Sequence, residues 1–599
     1  MSTDISVPAA PVQKKPIIQR STLLFSPLWL CLLLAFALRI WLIIHTHGVI
    51  DGDEAMVGIQ AQRILHGEFP IYFYGQPYMG SLEAYLVATL FAVFGVSVWA
   101  MRLEAALLSL VLVWLTWRFA GALAEASSLS QAARRRFMRV AGLCAAIVPL
   151  YDGVLELHML GGYIETFVLI LLLLLSCFQL ARRWFSGANQ GEMAWRWAGI
   201  GFIVGLGLWV NPLILSAVVA ATLWILGAFL LQWRRRGTAM PIVRELLLLP
   251  LAVCTAVIGM APALVWGATN QWANITYVFS LSGHETLQMR FMSALNVAQS
   301  FESCIAPRLI GGALPQESSS LLGLHTALFI LALGAIILAL GMCFLPTTQG
   351  ATIRRLIGLP ALFAGVATGI FCASAVGGFE VLYGCTNDFS GRYATPASLA
   401  LPFFFAAVFV LLWQAIRSPH ANRWLHQRLA NSLLALALVL SLAAQALPYA
   451  FTSAGETYQS NYCIFDPWDN TPVLNYLEQQ HIHFLWAHNM LAYPLVFKSH
   501  LTIIGADPVP VQHPGFAVNR LPAYTQAVLH ANRASMLFII PHDDIQPHIF
   551  QALVALHVTY HAARFYSQPG YDVLVVTPLS RSVSPLESSQ LDLFQCVSS

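Results

Sequence analysis

The sequence predicts a polytopic α-helical membrane protein that ends in a small α/β domain. The 599-residue chain is 58% hydrophobic and only 10% charged, whereas soluble domains carry about 25% charged residues. It contains many apolar runs long enough to cross about 30 Å of hydrocarbon. From about residue 451 onward such runs stop, and short β-rich segments alternate with helical patterns instead.

About eleven transmembrane helices are predicted. The apolar runs lie near 22–45, 100–121, 137–152, 163–182, 197–211, 213–232, 246–267, 322–345, 357–376, 396–416 and 431–450. Basic clusters lie near 14–20, 134–139, 182–185, 234–236, 354–355 and 417–428. With eleven spans all of these clusters fall on one side. Because cytoplasmic loops are rich in Lys and Arg, this side and the N-terminus are expected in the cytoplasm.

The apolar stretch 82–99 is the exception in this arrangement. If it crossed the membrane, the basic cluster at 134–139 would lie outside, against the charge rule. We therefore expect a juxtamembrane or re-entrant helix within the first external loop. A true span with inverted topology downstream is the alternative.

These assignments divide the chain into three parts. Residues 1–21 form a cytoplasmic tail, 22–450 form the membrane domain with its first external loop at 46–99, and 451–599 form an external α/β domain. In that domain a helix is predicted in TPVLNYLEQQ and strands in IHFLWAH, HLTIIGA, ASMLFIIP and YDVLVVTP. Outside the cell Cys463 could pair with Cys596, and Cys304 with Cys385, although free thiols are equally compatible with the sequence.

Ionisable residues at span boundaries are the candidates for function, because they are costly there unless they are paired or hydrated. Asp51, Asp53 and Glu54 directly follow the first span. The other candidates are Glu83, Asp152, Glu156, His158, Glu165, His284, Glu285, Asp388, Arg392 and Tyr393.

The net charge of +3 is too small and dispersed to indicate a nucleic-acid partner.

The stretch DEAMVGIQAQRILHGEFPIYFYGQPYMGSLEAYL resembles the first external loop of the GT-C membrane glycosyltransferases. More narrowly, it is similar to the branch with protein O-mannosyltransferases and lipid A aminoarabinose transferases. Their loop has an Asp-Glu pair, a juxtamembrane helix, a proline-bearing element and a second membrane-associated helix. Asp53-Glu54, HGEFP, Gln76-Pro77 and residues 81–98 match these features. The resemblance therefore implies the non-crossing helix that the charge rule also favours.

The resemblance implies specific roles. Asp53 would be the general base, and Glu54 and Glu165 would be catalytic residues that position the acceptor or join Asp53 around a divalent cation. GRYATP resembles an Arg-Tyr-x-x-Pro element in which Arg392 meets the donor phosphate beside Tyr393. Gln76, Tyr78 and His158 are further substrate-binding candidates, and Asp152, Glu156 and His158 compete with Glu165 as the second acidic position. A divalent cation held by Asp53 and Glu54 stays an open alternative.

The function implied is an inverting glycosyltransferase. It would move a hexosyl or pentosyl group from a polyprenyl-phosphate donor to a glycan, lipid or protein on the external face of the membrane. The long external C-terminal domain suits the periplasmic or extracellular face of a bacterial inner membrane. A transporter or flippase of lipid-linked sugars is the main alternative, and a membrane scaffold that acts through its terminal domain is a third. Transporters favour internal repeats and broken helices at the bilayer midplane, whereas the acidic residues here gather at span ends.

Overall fold

The structure is a computed structural model. It describes residues 26–185, 189–236, 245–280, 287–314, 319–374, 391–416, 424–452, 469–513, 518–545, 547–568 and 570–593. Six candidates named above lie outside these ranges: Cys385, Cys463, Cys596, His284, Glu285 and Asp388. Cys304 is disulfide-bonded.

Most of the described chain before residue 452 is helical. Within the described ranges, nine helices or helical segments are long and apolar enough to span a membrane, and two bent helix pairs raise this number to as many as eleven. This confirms the predicted fold class. The α-helices of this part are α1 27–45, α2 52–65, α3 82–94, α4 98–126, α5 131–146, α6 150–157, α7 163–185, α8 190–210, α9 215–236, α10 249–259, α11 261–269, α12 273–280, α13 287–300, α14 306–311, α15 319–343, α16 348–373, α17 401–416 and α18 424–451. A 3-10 helix at 392–400 leads into α17.

Two of the predicted spans are not straight helices. The run at 137–152 is divided between α5 and α6, which meet at 68°, and the run at 246–267 is divided between α10 and α11, which meet at 63°. Proline accounts for both bends. Pro149 directly precedes α6, and Pro262 is the second residue of α11. Proline lacks an amide hydrogen and disfavours helical geometry in the residue before it, so a new helix begins in a new direction.

The apolar stretch that was predicted not to cross the membrane forms the short helix α3. It has 13 residues and ends at Gly95, whose positive φ of 80° suits glycine. A helix of this size is about 20 Å long at 1.5 Å per residue, which is shorter than the hydrocarbon core. Its length agrees with the juxtamembrane prediction, and its position relative to the bilayer stays a prediction.

The C-terminal region contains a five-stranded mixed sheet. The strands β3 484–486, β4 504–506, β5 535–541, β6 560–568 and β7 571–578 are arranged in the order β4-β3-β5-β7-β6. β3 is parallel to both β4 and β5, and β7 is antiparallel to β5 and β6. The helices of this region are α19 471–479, α20 489–498, α21 509–512, α22 522–529 and α23 548–555. The sequence analysis missed β6, because YHAARFYSQ is an edge strand without a clear apolar alternation.

The C-terminal region packs against the segment that follows α1. In that segment a two-stranded ribbon, β1 72–73 and β2 76–80, lies between α2 and α3. α20 packs along α2, and two glycines of α2 allow the close approach. A Cβ on Gly52 would lie 2.9 Å from the Asn489 carbonyl oxygen, and one on Gly58 would lie 2.5 Å from the Phe497 ring. Below, the end of the bundle that carries residues 46–97 is called the loop end.

Candidate active site

The helix α2 begins with an acidic triplet whose members face different surroundings. Asp51 is the N-cap, and its side chain accepts a hydrogen bond from the Glu54 backbone N–H at 2.7 Å. A carboxylate there satisfies one of the unpaired amides of the first turn and complements the helix dipole. Successive helix positions point about 100° apart. Asp53 and Glu54 therefore have separate partners.

Glu54 is held inside the bundle by an arginine of α4. Arg102 Nε and Nη2 donate to the two Glu54 carboxylate oxygens at 3.0 and 2.6 Å, and neither side chain is exposed. Arg102 also donates to the Thr46 hydroxyl and the Val49 carbonyl. A bidentate Arg–carboxylate pair is among the stronger hydrogen-bonded pairs, and removing one partner would leave a buried charge. This pair fixes the start of α2 to the bundle.

His158 completes the same cluster through Asp51. Its Nε2 lies 2.7 Å from Asp51 Oδ2 and 3.8 Å from Glu54 Oε2. Burial lowers the pKa of His158, but the two neighbouring carboxylates outweigh it and raise the pKa to about 9. Burial likewise raises the pKa of Asp51, but His158, the Glu54 backbone N–H and Arg102 together bring it below its ordinary value. The cluster therefore pairs two acids with two cations.

Asp51, Glu54 and His158 are also the described residues that could hold a metal ion, since their ligand atoms lie within 4.8 Å of one another. Asp53, which the sequence analysis paired with Glu54 as a metal ligand, is not part of this group. The donor atoms are already engaged: Arg102 binds both oxygens of Glu54, while Asp51 is bonded to an amide and to His158. A dication would have to displace the Arg102 guanidinium, so the group as built does not fit a metal.

Asp53 points to the other side of α2 and meets the C-terminal region. Arg520, in the segment before α22, places Nη2 2.6 Å from Asp53 Oδ1. The Asp53 side chain is 23% exposed and that of Arg520 13%. The Arg520 guanidinium also lies 5.0 Å from the centre of the Phe73 ring, a cation–π contact. Among the three acids of the triplet, Asp53 is thus the one with access to solvent.

Aromatic side chains lie near Arg520, the partner of Asp53. Tyr78, in β2, stacks on Tyr277 with ring centres 5.4 Å apart, and its hydroxyl lies 3.5 Å from Gln76 Oε1. Arg392 donates to the Tyr393 hydroxyl at 3.0 Å. Burial and the nearby Tyr393 raise the pKa of Tyr78, while the charges of Arg392 and Arg520 oppose the rise. The predicted binding residues Gln76, Tyr78, Arg392 and Tyr393 therefore gather near one hydroxyl.

Glu165 belongs to a second, deeper acidic group. It lies at the start of α7, near Glu104 of α4 and Glu83 of α3, and all three carboxyls are buried. Glu83 accepts a hydrogen bond from the Gly161 backbone N–H at 2.8 Å. Burial first, and then the proximity of Glu165, raise the pKa of Glu83 well above its ordinary value. Neither Glu104 nor Glu165 has a side-chain hydrogen-bond partner within the described ranges.

The competing acids of the second loop are placed apart from Asp53. Glu156 forms a buried ion pair with Arg39 of α1 at 2.7 Å. Asp152 lies near Ser398 in the 3-10 helix that begins at Arg392. His158 binds Asp51 in the buried cluster. Asp53 therefore pairs with Arg520, which acts electrostatically on Tyr78 together with Arg392. Glu54 and His158 lie in the buried cluster, and Glu165 lies in the second acidic group.

Sequence reasoning missed three arginines and one acid of these groups. Arg39, Arg102 and Glu104 lie in apolar spans, and the rule that intramembrane charges are functional would have flagged all three. Arg520 carried no such signal, because the sequence around it, AVNRLPAY, reads as an ordinary loop before a helix. Only the fold brings it to Asp53.

The fold and the site together define a polytopic membrane protein with a carboxylate, two guanidiniums and tyrosines at the loop end. No protein-family model and no curated protein sequence matches the chain. Solved structures do match. ArnT from Cupriavidus metallidurans bound to undecaprenyl phosphate superposes with a TM-score of 0.53 and 12% identity, covering 93% of this chain and 98% of that one. ArnT in the apo state gives a TM-score of 0.53 and 14% identity, covering 92% and 97%.

A second kind of enzyme has a similar fold. The archaeal oligosaccharyltransferase AglB from Archaeoglobus fulgidus, in complex with an inhibitory peptide and a dolichol-phosphate, gives a TM-score of 0.50 at 13% identity, covering 91% of this chain and 74% of that chain. ArnT, a lipid A aminoarabinose transferase, and AglB are both GT-C membrane glycosyltransferases. The resemblance read from the first loop is therefore confirmed at the level of the fold.

Proposed function

We propose that the chain is a glycosyltransferase that moves a sugar from a polyprenyl-phosphate donor to an acceptor at the loop end. The observation that carries this proposal is the partly exposed Asp53 carboxylate paired with Arg520, which together with Arg392 acts electrostatically on Tyr78. Two solved structures of similar fold support it, since ArnT is bound to undecaprenyl phosphate in one and AglB is in complex with a dolichol-phosphate in the other. By the charge rule, this end faces the outside of the cell, and we propose a bacterial inner membrane as the location.

The reaction needs one proton acceptor and one group that stabilises the leaving phosphate. The acceptor oxygen or nitrogen attacks the anomeric carbon, and the bond from that carbon to the phosphate oxygen breaks with its electron pair left on the phosphate. Asp53 takes the acceptor proton as general base and later gives it to water. Direct displacement inverts the anomeric centre.

Arginine suits the leaving phosphate because its planar guanidinium binds phosphate oxygens through two parallel hydrogen bonds. Arg392 stands at the start of the 3-10 helix at 392–400, with its guanidinium against Tyr393 at 4.8 Å from the ring centre. We assign it to the donor phosphate. Tyr78 and Tyr277 offer a stacked aromatic surface next to it, which we assign to the sugar or the acceptor.

The buried residues of the first loop have a supporting role in this proposal. Glu54 and His158 hold the first turn of α2 through Arg102 and Asp51. They thereby fix the backbone from which Asp53 projects. Glu165, with Glu83, lies behind the Gly161-Gly162 turn, and we assign it to positioning this turn against the site.

The test is chemical analysis of cells that lack the protein and are complemented with the wild type or with Asp53→Asn. The wild type should restore a missing sugar and remove an accumulated lipid-linked donor, both read by mass spectrometry. Asp53→Asn, expressed at the same level in the membrane, should restore neither. Full restoration by Asp53→Asn would exclude Asp53 as the base. In reconstituted vesicles, movement of lipid-linked sugar across the bilayer without transfer would identify a transporter instead.

A further inference from the structure

We propose that the Arg520–Asp53 ion pair is a resting-state lock on the donor site. In this proposal the donor phosphate displaces the Asp53 carboxylate from Arg520, so that donor binding itself releases the base. Arg520 then joins Arg392 as the second guanidinium on the phosphate, contributed by the C-terminal region. The inference rests on the proposed function and assigns a residue and an order of events to it.

Asp53 is already paired with Arg520 in the structure. Its Oδ1 lies 2.6 Å from Arg520 Nη2, so this oxygen already accepts a hydrogen bond, and the guanidinium occupies the position from which an acceptor hydroxyl or amine would approach it. A general base must be able to take a proton from its substrate. Oδ1 can therefore reach an acceptor proton only after its contact with Arg520 opens.

The Arg520 guanidinium can donate further hydrogen bonds. Its Nη1 is buried and has no hydrogen-bond partner within the described part of the chain. A buried unpaired donor costs about 1–3 kcal/mol. An incoming phosphate, which has more acceptor oxygens than the Asp53 carboxylate, would satisfy Nη1 and Nη2 together.

Arg520 belongs to the C-terminal region but lies against the ribbon formed by β1 and β2. Its guanidinium rests on the Phe73 ring of β1, and its Cα and Cγ lie 3.2 and 3.1 Å from the position of a Cβ on Gly75. It also acts electrostatically on Tyr78 and Tyr277. Arg520 and Arg392 thus act on the same tyrosine, Tyr78.

One further acid faces the same guanidinium. Asp507, after β4, acts electrostatically on Arg520, and burial raises the pKa of Asp507 to about 7. Its charge is therefore partly lost near neutral pH. Asp53 is the described acid that makes the direct contact, and it is the one that the phosphate must replace.

The test measures the binding of undecaprenyl phosphate to the full-length protein in nanodiscs, with undecaprenol and inorganic phosphate as separate probes. Asp53→Asn should bind the lipid phosphate about three- to tenfold more tightly than the wild type, because the competing carboxylate is gone. Arg520→Gln should bind it about ten- to a hundredfold more weakly, because charged hydrogen bonds are lost. Arg520→Lys should recover part of this loss, since it keeps the charge but not the bidentate geometry.

Arg63→Gln is the matched control. Arg63 lies at the same contact between α2 and the C-terminal region, with its guanidinium 4.8 Å from the Tyr524 ring centre and 5.3 Å from that of Tyr74. It does not contact Asp53. Its substitution should leave the lipid-phosphate affinity within about twofold of the wild type. The thermal unfolding midpoint of each variant separates loss of binding from loss of folding.

The outcomes separate the lock from the proposed function. If Arg520→Gln chiefly raises the donor KM while Asp53→Asn abolishes transfer yet tightens lipid-phosphate binding, the lock is supported. If both variants bind like the wild type while Asp53→Asn still abolishes transfer, Arg520 is only a strut between the two regions and the lock is wrong. If the wild type neither binds undecaprenyl phosphate nor transfers sugar, the proposed function and the lock both fail.

Discussion

The two sides of the first turn of α2 carry similar acids in opposite situations. On one side Asp51 and Glu54 are fully buried and held by His158 and Arg102, both from the helical bundle. On the other side Asp53 is partly exposed, and its partner Arg520 comes from the C-terminal region. We call the side with Asp51 and Glu54 the inner side and the side with Asp53 the outer side. On the inner side every carboxylate oxygen has a partner within the bundle, whereas the partner on the outer side is one that a ligand can replace.

This difference separates support from chemistry. A buried ion pair is costly to break, because either partner alone is an uncompensated charge. A partly exposed pair contributes little to stability and can exchange at little cost. The same acidic motif can therefore anchor a helix with two residues and leave the third carboxylate partly exposed to solvent.

The largest stability effect is expected from breaking the inner side. Arg102→Met leaves Glu54 without its cation in a site that water does not reach. We expect a loss of about 3–5 kcal/mol in the free energy of unfolding, measured as a fall in the thermal unfolding midpoint. Arg182→Met is the control, because its pair with Glu125 is 40% and 65% exposed and should contribute about 0–1 kcal/mol. Equal effects of the two substitutions would contradict the inner side as an anchor.

A smaller effect is expected from separating the two regions that form the outer side. Gly58→Leu would place a side chain against the buried Phe497 ring, where even a Cβ lies at 2.5 Å. Overpacking of this kind costs about 1–3 kcal/mol, and it should also slow transfer because α2 sets the position of Asp53 relative to Arg520. Gly227→Leu, with nothing within 4 Å of its Cβ, should change neither the unfolding midpoint nor the rate. Normal transfer by Gly58→Leu would show that the contact does not position the site.

The smallest effect is a pH dependence of the inner side. His158 has a pKa raised to about 9, so its contribution to stability is complete below about pH 6.5 and is lost as the pH rises through 9. The difference in unfolding midpoint between the wild type and His158→Gln should therefore shrink between pH 7 and pH 10. Taking this difference cancels other groups, such as Lys498, whose pKa burial lowers to about 8. A difference that stays constant with pH would show that His158 is not charged in the folded protein.

Much of the fold could be predicted because its signals are local. The lengths of the apolar runs predict the spans. The Asp-Glu pair, the helix after it and the proline turn predict the elements of the first external loop. Pro149 and Pro262 lie within two of the predicted spans, but the sequence analysis did not predict that these spans bend there. The partition of the triplet depends on Arg102 and Arg520, which reach α2 only after the chain folds. No periodicity reports such long-range ion pairs, so the sequence placed Glu54 beside Asp53 in one site although their partners differ.

The central claim is that Asp53, and not its buried neighbour, takes the proton of the acceptor. It is tested most directly by the rate of sugar transfer in reconstituted vesicles for Asp53→Asn and Glu54→Gln, with each rate divided by the amount of folded protein. The account predicts that Asp53→Asn loses about 10²–10⁴-fold in rate with an unchanged unfolding midpoint. It predicts that Glu54→Gln lowers the midpoint but keeps most of the rate per folded molecule. A wild-type rate for Asp53→Asn, or a loss per folded molecule confined to Glu54→Gln, would contradict it.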